Sequence, residues 1–228
     1  MTHWLGAART GLWLVWVVVF LVPAAQAAQT LQATSADGRW RAVAEGTTIV
    51  IEDAVGAERP RTLRVAALDG SGASEVASIH DAAPRRSFVI ALRTLPELWE
   101  LSYDPRAEPI YDGLVHDYRM GEGIAIPGFL NPRRTKLESP LQGLVFDRSH
   151  AFVLGRAAAG ADGRAQLHLV QLDVRRVIAR FVVAGDPDMS AARVLDGSGR
   201  SEIRVPDRAG GAATVVDVRN ARIVPGAD

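Results

Sequence analysis

From residue 30 onward the apolar residues fall in short runs separated by turn-forming clusters, and the pattern returns four times. Ser35-Ala36-Asp37-Gly38 leads into apolar runs at 40–44, 48–51 and 62–65. Asp81-Ala82-Ala83-Pro84 leads into 87–92 and 98–103, and Asp147-Arg148-Ser149-His150 into 151–154, 167–172 and 177–183. Asp196-Gly197-Ser198-Gly199 leads into 202–205 and 213–218. Thr48-Ile49-Val50-Ile51 and Phe88-Val89-Ile90-Ala91 are largely apolar throughout, the pattern of strands covered on both faces. No window shows the 3.6-residue period with caps that a helix needs, and residues 174–179 read better as the return strand of a hairpin. Units of about 40–50 residues holding several short strands are what propeller blades produce. A blade cannot bury both faces alone, so the repeat predicts an all-β, propeller-like array of about four blade units.

The interval between the second and third turns is longer and needs an insertion, placed at about 105–140. It holds Pro105, Pro109, Pro127, Pro132 and Pro140 together with Gly113, Gly121, Gly123 and Gly128. Long irregular segments inside compact domains are more often functional than decorative, which makes this the expected working surface. His116 lies there beside Asp117, which can set the imidazole tautomer; it reads as an axial haem ligand or acid, or as a loop histidine bonded to backbone or solvent. Arg119 shares the segment, and Arg133-Arg134-Thr135-Lys136 is its densest basic cluster, suited to clamping a carboxylate or forming a solvated charge run. His116, Arg119, Arg133 and Arg134 are therefore the candidate ligand-binding residues. His80, His150 and His168 read as structural: the first two open turns, and the third sits within a strand.

The first residues change the picture of compartment. Arg9 without a nearby acid, an unbroken apolar run over 12–22, Pro23 and the small-residue end Ala25-Gln26-Ala27 make a secretory signal peptide spanning 1–27. The run is short for a membrane span of about 20 residues. The mature domain, 28–228, is expected in the periplasm or medium, free of the membrane after cleavage. The chain has no cysteine, so its stability must come from core burial, and thiolate metal sites and Cys-x-x-Cys-His haem attachment are excluded. With 26 basic and 26 acidic residues overall, nothing points to a nucleic-acid partner. Neither a His-x-x-x-His metal pair nor a Gly-x-Ser-x-Gly nucleophile elbow occurs.

Leu95-Pro96-Glu97-Leu98-Trp99-Glu100-Leu101-Ser102-Tyr103, followed downstream by Phe146-Asp147-Arg148-Ser149-His150-Ala151-Phe152, resembles the haem d1 domain of the cytochrome cd1 nitrite reductases. It is also similar to the d1-related, YncE-like periplasmic propellers. The resemblance covers about residues 80–185 and implies an eight-bladed ring, of which four units fill half. It leaves three arrangements open: a minimal four-bladed ring, a ring closed by a second chain, and an open array that needs a protein partner. The nitrite reductases carry a His-Asp-Gly-Gly before the blade start, whose histidine is a distal acid. Aligned on the turn at 147–150, this chain has Gln142-Gly143-Leu144-Val145 there, and glutamine cannot deliver a proton at neutral pH.

Two functions follow as expectations. The first is an exported, non-catalytic binding or scaffold protein that works through the insertion. The alternative is a periplasmic protein that binds or transfers haem d1 or a related tetrapyrrole, with His116 as ligand.

Overall fold

The structure, a computed structural model, describes residues 30–111, 125–197 and 200–225. The signal peptide expected at 1–27 lies outside them. Among the described residues there is no α-helix, only a single 3-10 turn at Ala83–Arg85. The described residues form sixteen strands in four antiparallel four-stranded sheets, each a simple meander in chain order. The first sheet holds β1 (Leu31–Thr34), β2 (Trp40–Glu45), β3 (Thr48–Asp53) and β4 (Arg61–Arg64). The second holds β5 (Val76–Ala82), β6 (Ser87–Leu92), β7 (Glu97–Ser102) and β8 (Arg133–Lys136). The third holds β9 (Gln142–Phe146), β10 (Phe152–Ala157), β11 (Ala165–Gln171) and β12 (Arg176–Val183). The fourth holds β13 (Arg193–Gly197), β14 (Arg200–Val205), β15 (Thr214–Asp217) and β16 (Arg222–Val224). The expected array of four all-β blade units is what the chain forms.

Each recurrent turn is the hairpin between the first and second strands of a sheet, so every blade begins one strand earlier than the turns suggest. In two turns the leading side chain does the same work. Ser35 Oγ accepts the Trp40 N–H at 2.8 Å, and Asp147 Oδ1 accepts the Phe152 N–H at 2.8 Å. The fourth residue takes a left-handed conformation in two of them, Gly38 (φ 70°) and His150 (φ 56°); in the second turn the left-handed residue is Arg86 (φ 50°), two positions past Pro84. In each, the left-handed residue's N–H bonds back to the carbonyl three residues earlier, at 2.8, 3.0 and 3.0 Å respectively. The structural reading of His150 therefore holds for its backbone. His80 and Asp81 are residues of β5 rather than openers of a turn.

The first strands of successive sheets, β1, β5, β9 and β13, lie side by side. Three cores separate the four sheets. The first joins Trp40, Ile49 and Ile51 to Phe88, Ile90 and Trp99. The second joins Val89, Ala91 and Leu98 to Leu144, Val153 and Val170. The third joins Leu154, Leu167 and Leu169 to Ile203, Val205 and Val216. No buried core forms between the fourth and first sheets among the described residues.

This arrangement explains which strands alternate. β6 belongs to an internal sheet and is buried on both faces throughout, as its apolar run requires. β2 and β3 belong to the end sheet. Ala42, Ala44, Ile49 and Ile51 face the core, while Arg41 and Glu45 face outward and Val43 and Val50 are only half-buried. The expectation that 48–51 is covered on both faces is thereby corrected, because among the described residues no fifth sheet lies beyond it.

The insertion is also shorter than expected, because Arg133–Lys136 forms β8, the fourth strand of the second sheet. Its return arm is anchored rather than loose. Ile110 pairs with Ile126, and Phe129 lies edge-on to Trp40 at 5.5 Å between ring centroids. Leu130 enters the first core, and Asn131 Oδ1 accepts a hydrogen bond from Arg61 Nη2 at 2.7 Å. Gly128 is required here, since a Cβ would overlap the Glu108 carbonyl oxygen.

Candidate functional site

In a meander, the turn after the first strand and the connection after the third lie at the same end of the sheet. The insertion after β7 therefore shares an end with the β1–β2, β5–β6 and β9–β10 turns. Polar contacts tie these together. Asp81 Oδ2 accepts the Ala36 N–H at 2.8 Å from the first sheet's turn, and Asp81 Oδ1 accepts the Tyr103 hydroxyl at 2.9 Å. Burial, then the neighbouring Asp81 carboxylate, raises the Tyr103 phenol above its ordinary value, so it stays a donor.

Arg133 and Arg134 reach this end on β8 but do not share a face, because successive strand residues point to opposite sides. Arg134 turns toward the first sheet. Its guanidinium lies 4.4 Å from the centre of the Trp99 ring, donates to the Ala66 carbonyl at 2.9 Å and meets Glu97 Oε2 at 3.2 Å. Glu97 Oε2 also accepts the Trp99 indole N–H at 2.8 Å. This side chain clamps the second sheet to the linker before it, which is a structural task. Treating the two arginines as one ligand clamp is thus corrected by strand alternation.

Arg133 turns toward the third sheet and lines a cleft of about 250 Å³ with Ser87, Glu100, Asp104, Glu108 and Ile110. Sequence reasoning missed the other cleft residues, which lie on separate elements and carry no local signature. His116 and Arg119 lie outside the described residues.

The described histidines sit against sheets rather than on the cleft. His168 is 2% exposed on β11, and burial, then the nearby Arg180, lowers its pKa. His80 is half-buried, with its ring 5.6 Å from Phe146, and burial lowers its pKa too. His150 also stacks on Phe146, at 5.2 Å and 23°. Among the described residues no group of three or more side chains could hold a metal ion, and no helix is long and apolar enough to cross a membrane.

Gln142, at the position of the nitrite reductases' histidine, starts β9 at the opposite end of the sheets from the insertion. It is exposed and pairs with Arg156 across the strands. Nearby charges are engaged in joining the third sheet to the fourth. Asp186 meets Arg156 at 2.5 Å and Arg208 at 3.3 Å, and Asp188 meets Arg208 at 3.6 Å. Gln142 and the expected working surface are therefore two separate places.

No family model matches the chain. Dihydro-heme d1 dehydrogenase of Pseudomonas aeruginosa is 26% identical to it over 190 residues, which is 82% of this chain and 33% of that protein. The solved structure of dihydro-heme d1 dehydrogenase NirN in complex with DHE matches with a TM-score of 0.64 and 26% identity, over 85% of this chain and 36% of that one. Apo AztD from Citrobacter koseri shares the fold at 11% identity, with a TM-score of 0.51 over 86% of this chain and 45% of that one. The chain thus spans about a third of the haem d1 relative it matches. The expected resemblance to d1-type propellers is borne out, and the chain is homologous to a protein named for dihydro-heme d1.

Proposed function

We propose that this chain is an exported, d1-type propeller protein that handles haem d1 or a related tetrapyrrole. The observation that supports this best is the homology to dihydro-heme d1 dehydrogenase over four-fifths of the chain, found by both sequence and structure. It favours the tetrapyrrole alternative over a general scaffold. Because the chain matches only a third of that relative, the activity carried over is binding or transfer.

The Arg133 cleft by itself is too small to enclose a tetrapyrrole. Pockets for organic ligands run to about 300–1,000 Å³, the Arg133 cleft is smaller, and His80, His150 and His168 do not open onto it. The pocket would then be completed by residues outside the described ones, His116 as ligand and Arg119 as a partner for acidic side chains, or by a second chain. Self-association or a protein partner would also cover the outward faces of the first and fourth sheets.

An absorption titration of the full chain with haem d1, and separately with protohaem, tests the reading. A saturable Soret shift that His116→Ala abolishes is the expected result. Unchanged spectra with both tetrapyrroles would overturn the reading.

A further inference from the structure

We infer that the cleft beside Arg133 is a binding site for a small monocarboxylate. The inference does not depend on tetrapyrrole binding. It starts from the register of β7 and β8, which sets Arg133 directly across from Glu100. That carboxylate is already taken: its Oε1 accepts Arg85 Nε at 2.8 Å and its Oε2 accepts Arg85 Nη2 at 3.2 Å. Asp104 is taken as well, by Arg86 Nη1 at 3.2 Å and by the Arg106 N–H at 3.0 Å.

The two hydroxyls in the cleft wall spend their protons on backbone. Ser87 Oγ donates to the Arg85 carbonyl at 3.0 Å and Ser102 Oγ to the Arg86 carbonyl at 3.3 Å. Among the described residues no hydrogen bond or ion pair engages the Arg133 guanidinium. The cleft therefore presents an unspent fork of N–H donors beside two acids, Glu100 and Asp104, that are already neutralised. A guanidinium in that state matches the two oxygens of a carboxylate, and its charge persists at any working pH.

The remaining wall narrows the ligand class. Ile110, 3% exposed, and Ala107 supply an apolar surface next to the guanidinium, suited to a short alkyl chain. Glu108 lines the same cleft with no described partner, and its charge opposes a dianion more than a monoanion. A volume of about 250 Å³ admits a small organic acid.

Isothermal titration calorimetry of the full chain with propionate as the probe tests the site. Saturable binding is expected, weakened at least about tenfold in Arg133→Gln, which corresponds to losing one charged hydrogen-bonding partner. Arg133→Lys keeps the charge without the fork and should bind more weakly than the wild type. Arg59→Gln, at an exposed arginine of the first sheet's loop, should bind as the wild type does. Melting temperatures establish that each variant is folded. If Arg133→Gln does not fold, the lysine variant decides, and binding equal to wild type overturns the proposal. So would the absence of saturable heat with propionate, unchanged binding in folded Arg133→Gln, or inorganic phosphate binding as tightly as propionate.

Discussion

Neighbours in sequence, Arg133 and Arg134 should respond oppositely to truncation. Arg134→Ala removes, among other contacts, the stack on Trp99 at 4.4 Å, the bond to the Ala66 carbonyl at 2.9 Å and the ion pair with Glu97 at 3.2 Å. Both ionic side chains are largely shielded, at 14% and 12% exposure, so solvent screening does little to weaken the pair. A cation over an indole contributes about 0.5–2 kcal/mol depending on desolvation. A charged hydrogen bond contributes about 1.5–3 kcal/mol. These contributions overlap, and Glu97 keeps its bond from the Trp99 indole, so a net loss of about 2–3 kcal/mol is expected. Arg134→Lys keeps the charge but not the planar stack, and should fall between wild type and alanine. Arg133→Ala breaks no described polar contact and should cost less than about 0.5 kcal/mol. Urea denaturation midpoints at unchanged m-value would measure all three. Equal losses at the two positions, or a loss at Arg134 below about 0.5 kcal/mol, would refute the clamp.

Two further outcomes are expected. Gly128→Ala forces a Cβ onto the Glu108 carbonyl, so the insertion's two arms must separate; faster proteolysis near residues 107–110 with the sheets' circular dichroism retained would register this, and unchanged proteolysis would argue against it. Burial lowers the pKa values of His80 and His168, so near pH 6 the unfolded chain binds more protons than the folded one. Their contribution is complete above about pH 6.5, the unfolded value, and is lost as pH falls toward the lower folded values. Melting temperature measured from neutral pH to about pH 5 should decline, and less so in His168→Asn; an identical slope in that variant would exclude His168 as a source.

Local chemistry made the blade turns readable. Ser35 and Asp147 act on N–H groups five residues away, and the left-handed fourth position falls within the same short segment, so both leave a mark in the sequence. The apolar run of β6 was equally plain, because both faces of an internal sheet are covered. The first strands were not legible. β5 carries Ser78, His80 and Asp81, and β9 begins with Gln142 and Gly143, so these segments are strands because of the sheets beside them and not because of their own composition.

The same division holds for the site. The sequence by itself determined that the repeats are all-β, built of four units, without cysteine chemistry, and interrupted after the second unit's second apolar run. It could not decide where the interruption ends, since Arg133-Arg134-Thr135-Lys136 is a polar outer strand whose identity depends on pairing with β7. Only the tertiary structure separated the two arginines, because a strand sends consecutive side chains to opposite faces. Only it showed that Arg85 and Arg86 occupy Glu100 and Asp104 and leave Arg133 to face the cleft, since those partners meet across separate strands and turns.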